Sequence, residues 1–172
     1  AIGSNLGSLN INANLNGKGS ECDLNGLSLT DSDRHIDNHI LTNHNASDCI
    51  SNQNFKTILK DNSSGVFNGK VIVQKNAQKT DSQQSNKNLL LSHDAKINSN
   101  PQLVIHADDV RCSHGSSTGE IDSDALFYMR SRGLDEKTAQ HISTGVGLTN
   151  AALEFGGAGI VFGLAMLGGR VI

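Results

Sequence analysis

Short runs of alternating apolar and polar residues, punctuated by Asn, Gly, Ser and Asp, fill residues 6 to about 110, and this pattern narrows the possible folds more than any other feature. Leu9, Ile11, Ala13 and Leu15 alternate with polar neighbours, and Cys22, Leu24, Leu27 and Leu29 follow the turn-forming Gly17-Lys18-Gly19-Ser20. Ile36 and Ile40 come next, then Phe55, Thr57 and Leu59. Asp61-Asn62-Ser63-Ser64-Gly65 separates these from Val66, Phe67, Val71, Ile72 and Val73, and two further runs hold Leu89 and Leu91, then Leu103, Ile105 and Ala107. Successive side chains of a strand point to opposite faces, so period-two runs bounded by turn residues predict many short strands. No amphipathic helix interrupts them. Two architectures fit: an antiparallel sandwich or barrel, and a β-solenoid of stacked coils. Asn-Gly is a hairpin signal. Asn16-Gly17 lies between runs, but Asn25-Gly26 and Asn68-Gly69 lie inside them, which favours bends within a solenoid coil. The interior Asn residues of such coils can stack in ladders.

A chain of 172 residues suffices for one domain and one core. With 3% aromatic residues and no Trp, that core must rest on layered Leu, Ile and Val. The net charge is −3, and Lys56, Lys60, Lys70, Lys75, Lys79 and Lys87 are scattered. They read as a solvated surface rather than the basic patch of a nucleic-acid-binding protein. Cys22, Cys49 and Cys112 are odd in number, widely spaced and without a CxxC, which argues against a disulfide framework and for a reducing, cytoplasmic setting. The first residues, Ala1-Ile2-Gly3-Ser4-Asn5, carry neither the basic region nor the apolar run of a secretory signal, and the missing Met suggests a start inside a longer protein.

From Ser123 the pattern changes. Asp122-Ser123-Asp124 offers N-cap oxygens, Leu126, Phe127, Met129 and Arg130 follow at helical spacing, and Gly133 can end the helix. A second helix is expected after Leu134 with Asp135 as its N-cap. The stretch from Gly145 to Ile172 is apolar and Gly-rich. Its length approaches that of a membrane span, but glycine at this density opposes a stable helix, so a span is disfavoured. The expected organisation is a β core over 1–120 and a helical segment over 121–172 with an atypical Gly-rich tail.

Three blocks carry a family resemblance. Ala77-Gln78-Lys79-Thr80-Asp81-Ser82-Gln83-Gln84 is one, and Asn100-Pro101-Gln102-Leu103 with Ala107-Asp108-Asp109-Val110-Arg111-Cys112-Ser113-His114-Gly115 is another. The third is Leu126-Phe127-Tyr128-Met129-Arg130-Ser131-Arg132-Gly133. In order and spacing they resemble the C-terminal portion of SufD-type subunits of the SufB/SufD family over roughly residues 5–142. Cys112-Ser113-His114-Gly115 is similar to the SufD rather than the SufB pattern, and Asn86-Lys87-Asn88-Leu89-Leu90-Leu91 stands where SufB carries a cysteine. The resemblance implies a right-handed parallel β-helix followed by short C-terminal helices. It further implies a non-catalytic scaffold for iron–sulfur cluster assembly that pairs with a SufB-like subunit and docks a SufC-like ATPase. The tail after about Ser143 departs from the family, which puts full docking of that ATPase in doubt.

The resemblance also points to residues. His114 is implied to lie at the SufB interface and to help hold a nascent Fe–S cluster. Cys112, two residues away, shares its face if the segment is extended; thiolate and imidazole both ligate iron, and two ligands cannot complete a tetrahedral site. Cys112 also reads as a small buried hydrophobe, and His114 as a surface histidine. Phe127, Tyr128, Arg130 and Arg132 are implied to form part of the ATPase-docking surface; the alternative packs Phe127 against the solenoid end. His35, His39 and His44 form a weaker metal candidate, while Cys22 and Cys49 read as core. No glycine-rich phosphate loop of the GxxxxGK[ST] type occurs, so no ATP is expected on this chain. Two other classes compete: a solenoid enzyme acting on polysaccharide, through Asp31, Asp33 and Asp37 beside Arg34, and a membrane-anchored binding module built on the Gly-rich tail.

Overall fold

A computed structural model describes residues 5–120, 123–135 and 138–139. Eight strands fill the first stretch: β1 (Leu6–Leu15), β2 (Glu21–Thr30), β3 (His35–His44), β4 (Ile50–Leu59), β5 (Ser64–Val73), β6 (Thr80–Leu90), β7 (Lys96–Ile105) and β8 (Val110–Glu120). Odd strands form one sheet in the order β1-β3-β5-β7, and even strands a second in the order β2-β4-β6-β8. All pairings are parallel. Consecutive strands therefore never pair, and the chain winds from sheet to sheet as a β-solenoid. Stacked partners lie 29 to 32 residues apart, as His35 and Ser64, Gln53 and Gln84, and Asn68 and Asn100 do.

The alternation that predicts strands also fixes the core. On β4, Ser51, Gln53, Phe55, Thr57 and Leu59 are buried, while Asn52, Asn54 and Lys56 between them are half-exposed. Phe55 and Phe67 meet from opposite sheets with ring centroids 5.4 Å apart, and Ile40, Ile11 and Leu24 complete that cluster. A second cluster joins Val71, Val73, Ala77 and Ala107, and a third Leu59, Leu90 and Ala95. The two Asn-Gly pairs inside strands have a different cause from the expected bends. A Cβ on Gly26 would overlap the Phe55 ring, and one on Gly69 would overlap the Phe67 ring and Gln84 Nε2. Gly26 leaves room for Phe55 of the next coil, and Gly69 for Phe67 of its own strand and Gln84 of the facing sheet.

Asparagine ladders are present, but mostly on the outer faces and corners. Asn52 Nδ2 donates to Asp23 at 2.7 Å, Asn43 to Asn14 at 2.8 Å and Asn45 to Asn16 at 2.8 Å. Five of the seven corners use a left-handed residue: Gly19, Asp48 and Lys79 at φ of 71°, 59° and 59° on one edge, and Ser32 and Asp61 at 56° and 59° on the other. Their backbone N–H groups tie coil to coil, Asp48 to Gln78 O at 2.9 Å for example.

Beyond the strands, α1 spans Ser123–Ser131. Gly133 (φ 92°) ends it: its N–H bonds Arg130 O at 3.0 Å while Leu134 N–H reaches Met129 O at 3.3 Å. That is the glycine-centred helix stop the sequence predicts. Asp135 also acts as expected, accepting from Thr138 N–H at 2.9 Å. Among the described residues no helix is long and apolar enough to cross a membrane. The Gly-rich tail lies outside the described residues.

Candidate metal-ligating site on the last strand

Strand β8 has few apolar residues, and the sequence pattern stops at its start. It is a strand because it pairs with β6 along its whole length, Ser82 facing Cys112 and Gln84 facing His114. Alternation then puts Cys112 and His114 on one face of the strand. That face belongs to the interior row: Cys112 extends the line Cys22–Ser51–Ser82, and His114 extends Leu24–Gln53–Gln84. No described strand follows β8 in its sheet, so this interior row opens outward there.

The two side chains differ in burial. Cys112 is half-buried and packs against the Val71, Val73, Ala77 and Ala107 cluster, so the hydrophobe reading and the shared face both hold. Burial pushes its thiol pKa above the usual value, the Ser82 backbone hydrogen bond acts in the opposite direction, and the Asp81 carboxylate adds to the rise. At neutral pH the thiol therefore keeps its proton, and any metal must displace it. His114 is exposed. A thiol and an imidazole suit iron as two donors of a set. Among the described residues no group of three or more His, Cys, Asp or Glu is placed to hold a metal ion.

The other candidates are occupied structurally. His35 Nδ1 lies 2.7 Å from Ser64 Oγ, and His39 pairs with Asp37 at 2.9 Å on the outer face. His44 points the other way, fully buried, with Nε2 2.8 Å from Ser51 Oγ. Arg34 bonds Asp31 at 2.6 Å and Asp33 accepts from Asn62 at 2.8 Å, so the acidic residues of the polysaccharide-enzyme reading serve as corner ties. Cys49 is buried core, its Sγ donating to Gly17 O at 3.3 Å, whereas Cys22 is only half-buried at the far end of its row. On α1, Phe127 is 73% and Tyr128 59% exposed, so Phe127 does not pack on the solenoid end. Just past the helix, Arg132 bonds the Tyr128 hydroxyl at 2.9 Å and stacks over its ring at 5.0 Å, while Arg130 on α1 is exposed.

Sequence reasoning missed the polar interior behind the pair. Ser51, Gln53, Ser82, Gln84, Asn86 and Asn88 are all buried. For Ser51 and Gln53 the available signal was their phase with Phe55 and Leu59; on β6 the phase set by Leu89 and Leu91 points the other way, so Ser82, Gln84, Asn86 and Asn88 are found only through pairing with β4.

A parallel β-solenoid whose last described strand carries a thiol and an imidazole on one face is the class that fold and site define. Residues 1–144 match the family described as "SUF system FeS cluster assembly, SufBD core domain", and the chain belongs to that family. It is 41% identical over 133 residues to the iron–sulfur cluster assembly protein SufD of Escherichia coli, covering 77% of this chain and 31% of that protein. A SufBD family protein of Synechocystis is 47% identical over 92 residues, covering 54% of this chain and 20% of its own length. One from Mycobacterium leprae is 32% identical over 149 residues, covering 82% and 38%. The chain thus spans well under half the length of these relatives, which are named as assembly proteins rather than as enzymes.

Proposed function

We propose that this chain forms the C-terminal coils of a SufD-type, non-catalytic scaffold in the SUF iron–sulfur assembly system, working in a reducing compartment. The observation that carries this reading is the Cys112–His114 pair, on one face of the last strand and at the open end of the rod. A nascent cluster is the cargo of such a site. Two protein donors leave ligand positions unfilled, and a SufB-like subunit seated on this end would supply the rest. The exposed Phe127, Tyr128, Arg130 and Arg132 on and just past α1 give an aromatic and cationic surface suited to a SufC-like ATPase, the aromatic and Arg chemistry enriched at interfaces.

The test is co-purification with SufB-like and SufC-like partners, followed by anaerobic loading with iron and sulfide. A stoichiometric complex whose loading falls in His114→Ala supports the reading. Loading unchanged in His114→Ala removes that residue from the site, and failure to bind either partner removes the scaffold role for this length of chain.

A further inference from the structure

Between the sheets a line of amides runs along the rod. Gln53 Nε2 donates to Thr42 Oγ1 at 2.8 Å, and Gln84 Nε2 donates to Gln53 Oε1 at 2.8 Å. The oxygen and nitrogen of an amide diverge from one carbon. An amide that gives its NH2 to the preceding coil therefore turns its carbonyl away from it. Gln53 gives its NH2 to Thr42 on the facing sheet, and its carbonyl is left to accept from Gln84 of the next coil, whereas Gln84 gives its own NH2 to that preceding coil. The Gln84 carbonyl meets nothing: the side chain is 4% exposed and Oε1 has no hydrogen-bond partner. Gly69 leaves the space that admits this amide, so its placement is built into the facing sheet. A buried carbonyl without a donor forfeits the hydrogen bond it had to water and gains none in return. The next residue in the same row is His114, in direct register with Gln84 and exposed enough to turn its ring. It is a hydrogen-bond donor standing one step beyond an unused acceptor.

We propose that Gln84 is a positioning residue for His114: its Oε1 accepts a hydrogen bond from one ring nitrogen. This fixes a single neutral tautomer and leaves the lone pair of the other nitrogen facing out of the rod end. Carbonyl and carboxylate partners set the tautomer and raise the basicity of ligating histidines in this manner. The use of that lone pair for iron rests on the functional reading above; the hydrogen bond itself does not.

The test uses the full chain with ¹⁵N-labelled histidine, at a pH where His114 is neutral. In wild type the two His114 ring nitrogens should show the widely separated shifts of one tautomer. In Gln84→Met the separation should fall toward that of free imidazole. Gln53→Met removes the acceptor that orients Gln84 but leaves the Gln84 carbonyl in place, and should move the His114 signals less than Gln84→Met does. Averaged shifts in wild type, or a spectrum unmoved by Gln84→Met, overturn the proposal, as does Gln53→Met acting as strongly as Gln84→Met. Should Gln84→Met fail to fold, His114→Ala decides: the Gln84 side-chain carbonyl shift must move, and an unmoved carbonyl means a buried water holds it instead. Iron retention by the partner complex is scored in parallel, with a loss of about 10- to 100-fold in affinity expected for Gln84→Met. A fixed tautomer with no iron bound sinks the functional reading alone, whereas iron held through a His114 of mixed tautomer sinks only the Gln84 contact.

Discussion

His44 is a fully buried imidazole with a hydroxyl on one nitrogen and nothing on the other. Burial lowers its pKa below the ordinary 6.5. Above that value the folded and unfolded chains both hold it neutral, and its contribution to stability is constant. As pH falls below 6.5 the unfolded chain takes the proton first, so stability declines until the folded value is passed. Denaturant midpoints at about pH 7.5 and about pH 5 should show this loss in wild type and a smaller loss in His44→Gln. Size matters as much as charge at this scale. Phe67 is fully buried against Phe55, and Phe67→Ala should cost about 3–5 kcal/mol in urea unfolding. His114 is exposed, so His114→Ala should cost less, at most the roughly 1–3 kcal/mol of leaving the Gln84 carbonyl without a donor.

The corners and strands show what a single sequence reveals and what it hides. Lys79 is exposed and sits at φ 59°, a left-handed conformation that crowds its Cβ. Its N–H bond to Asp109 O needs no side chain. Lys79→Gly should therefore be neutral or stabilising by up to about 1 kcal/mol, read as a higher denaturant midpoint at unchanged slope. Nothing in the sequence marks Lys79 as a corner, because glycine occupies the equivalent place only once, at Gly19. Strands β1 to β5 and β7 were legible because apolar residues recur in them at period two, whereas the interior row of β6 is Thr80, Ser82, Gln84, Asn86 and Asn88 before Leu90 and shows no such signal. Strand β8 was not legible either, since its row is finished by Ser116 and Thr118, and pairing with β6 supplies what hydrophobicity lacks. The helix stop at Gly133 and the cap at Asp135 were legible in full, being local chemistry. For the candidate site, the i, i+2 spacing of Cys112 and His114 gave the shared face, but the line of glutamines behind it needs inter-coil register, which no local pattern carries.

At the largest scale the described strands form a rod in which each coil meets only the coils beside it. Stability then follows from nearest-neighbour terms, and in this chain taken by itself opening begins at the outer coils. Amide hydrogen exchange of the isolated chain should be slowest in β3 through β6, flanked on both sides by described strands, and faster in β1, β2, β7 and β8. Uniform protection along the rod would contradict this. Such a rod also faces an ambiguity that a mixed fold escapes: when every coil has the same width, one coil can settle on another two residues out of step without turning any side chain to the wrong face. The polar line between the sheets removes that freedom. A shift of two would set Gln84 against Ser51 or Phe55 instead of Gln53, breaking a buried amide pair whichever way the coil slides. The buried glutamines thus work like the notches of a key, admitting one alignment of coil on coil and so deciding which residues emerge together at the tip.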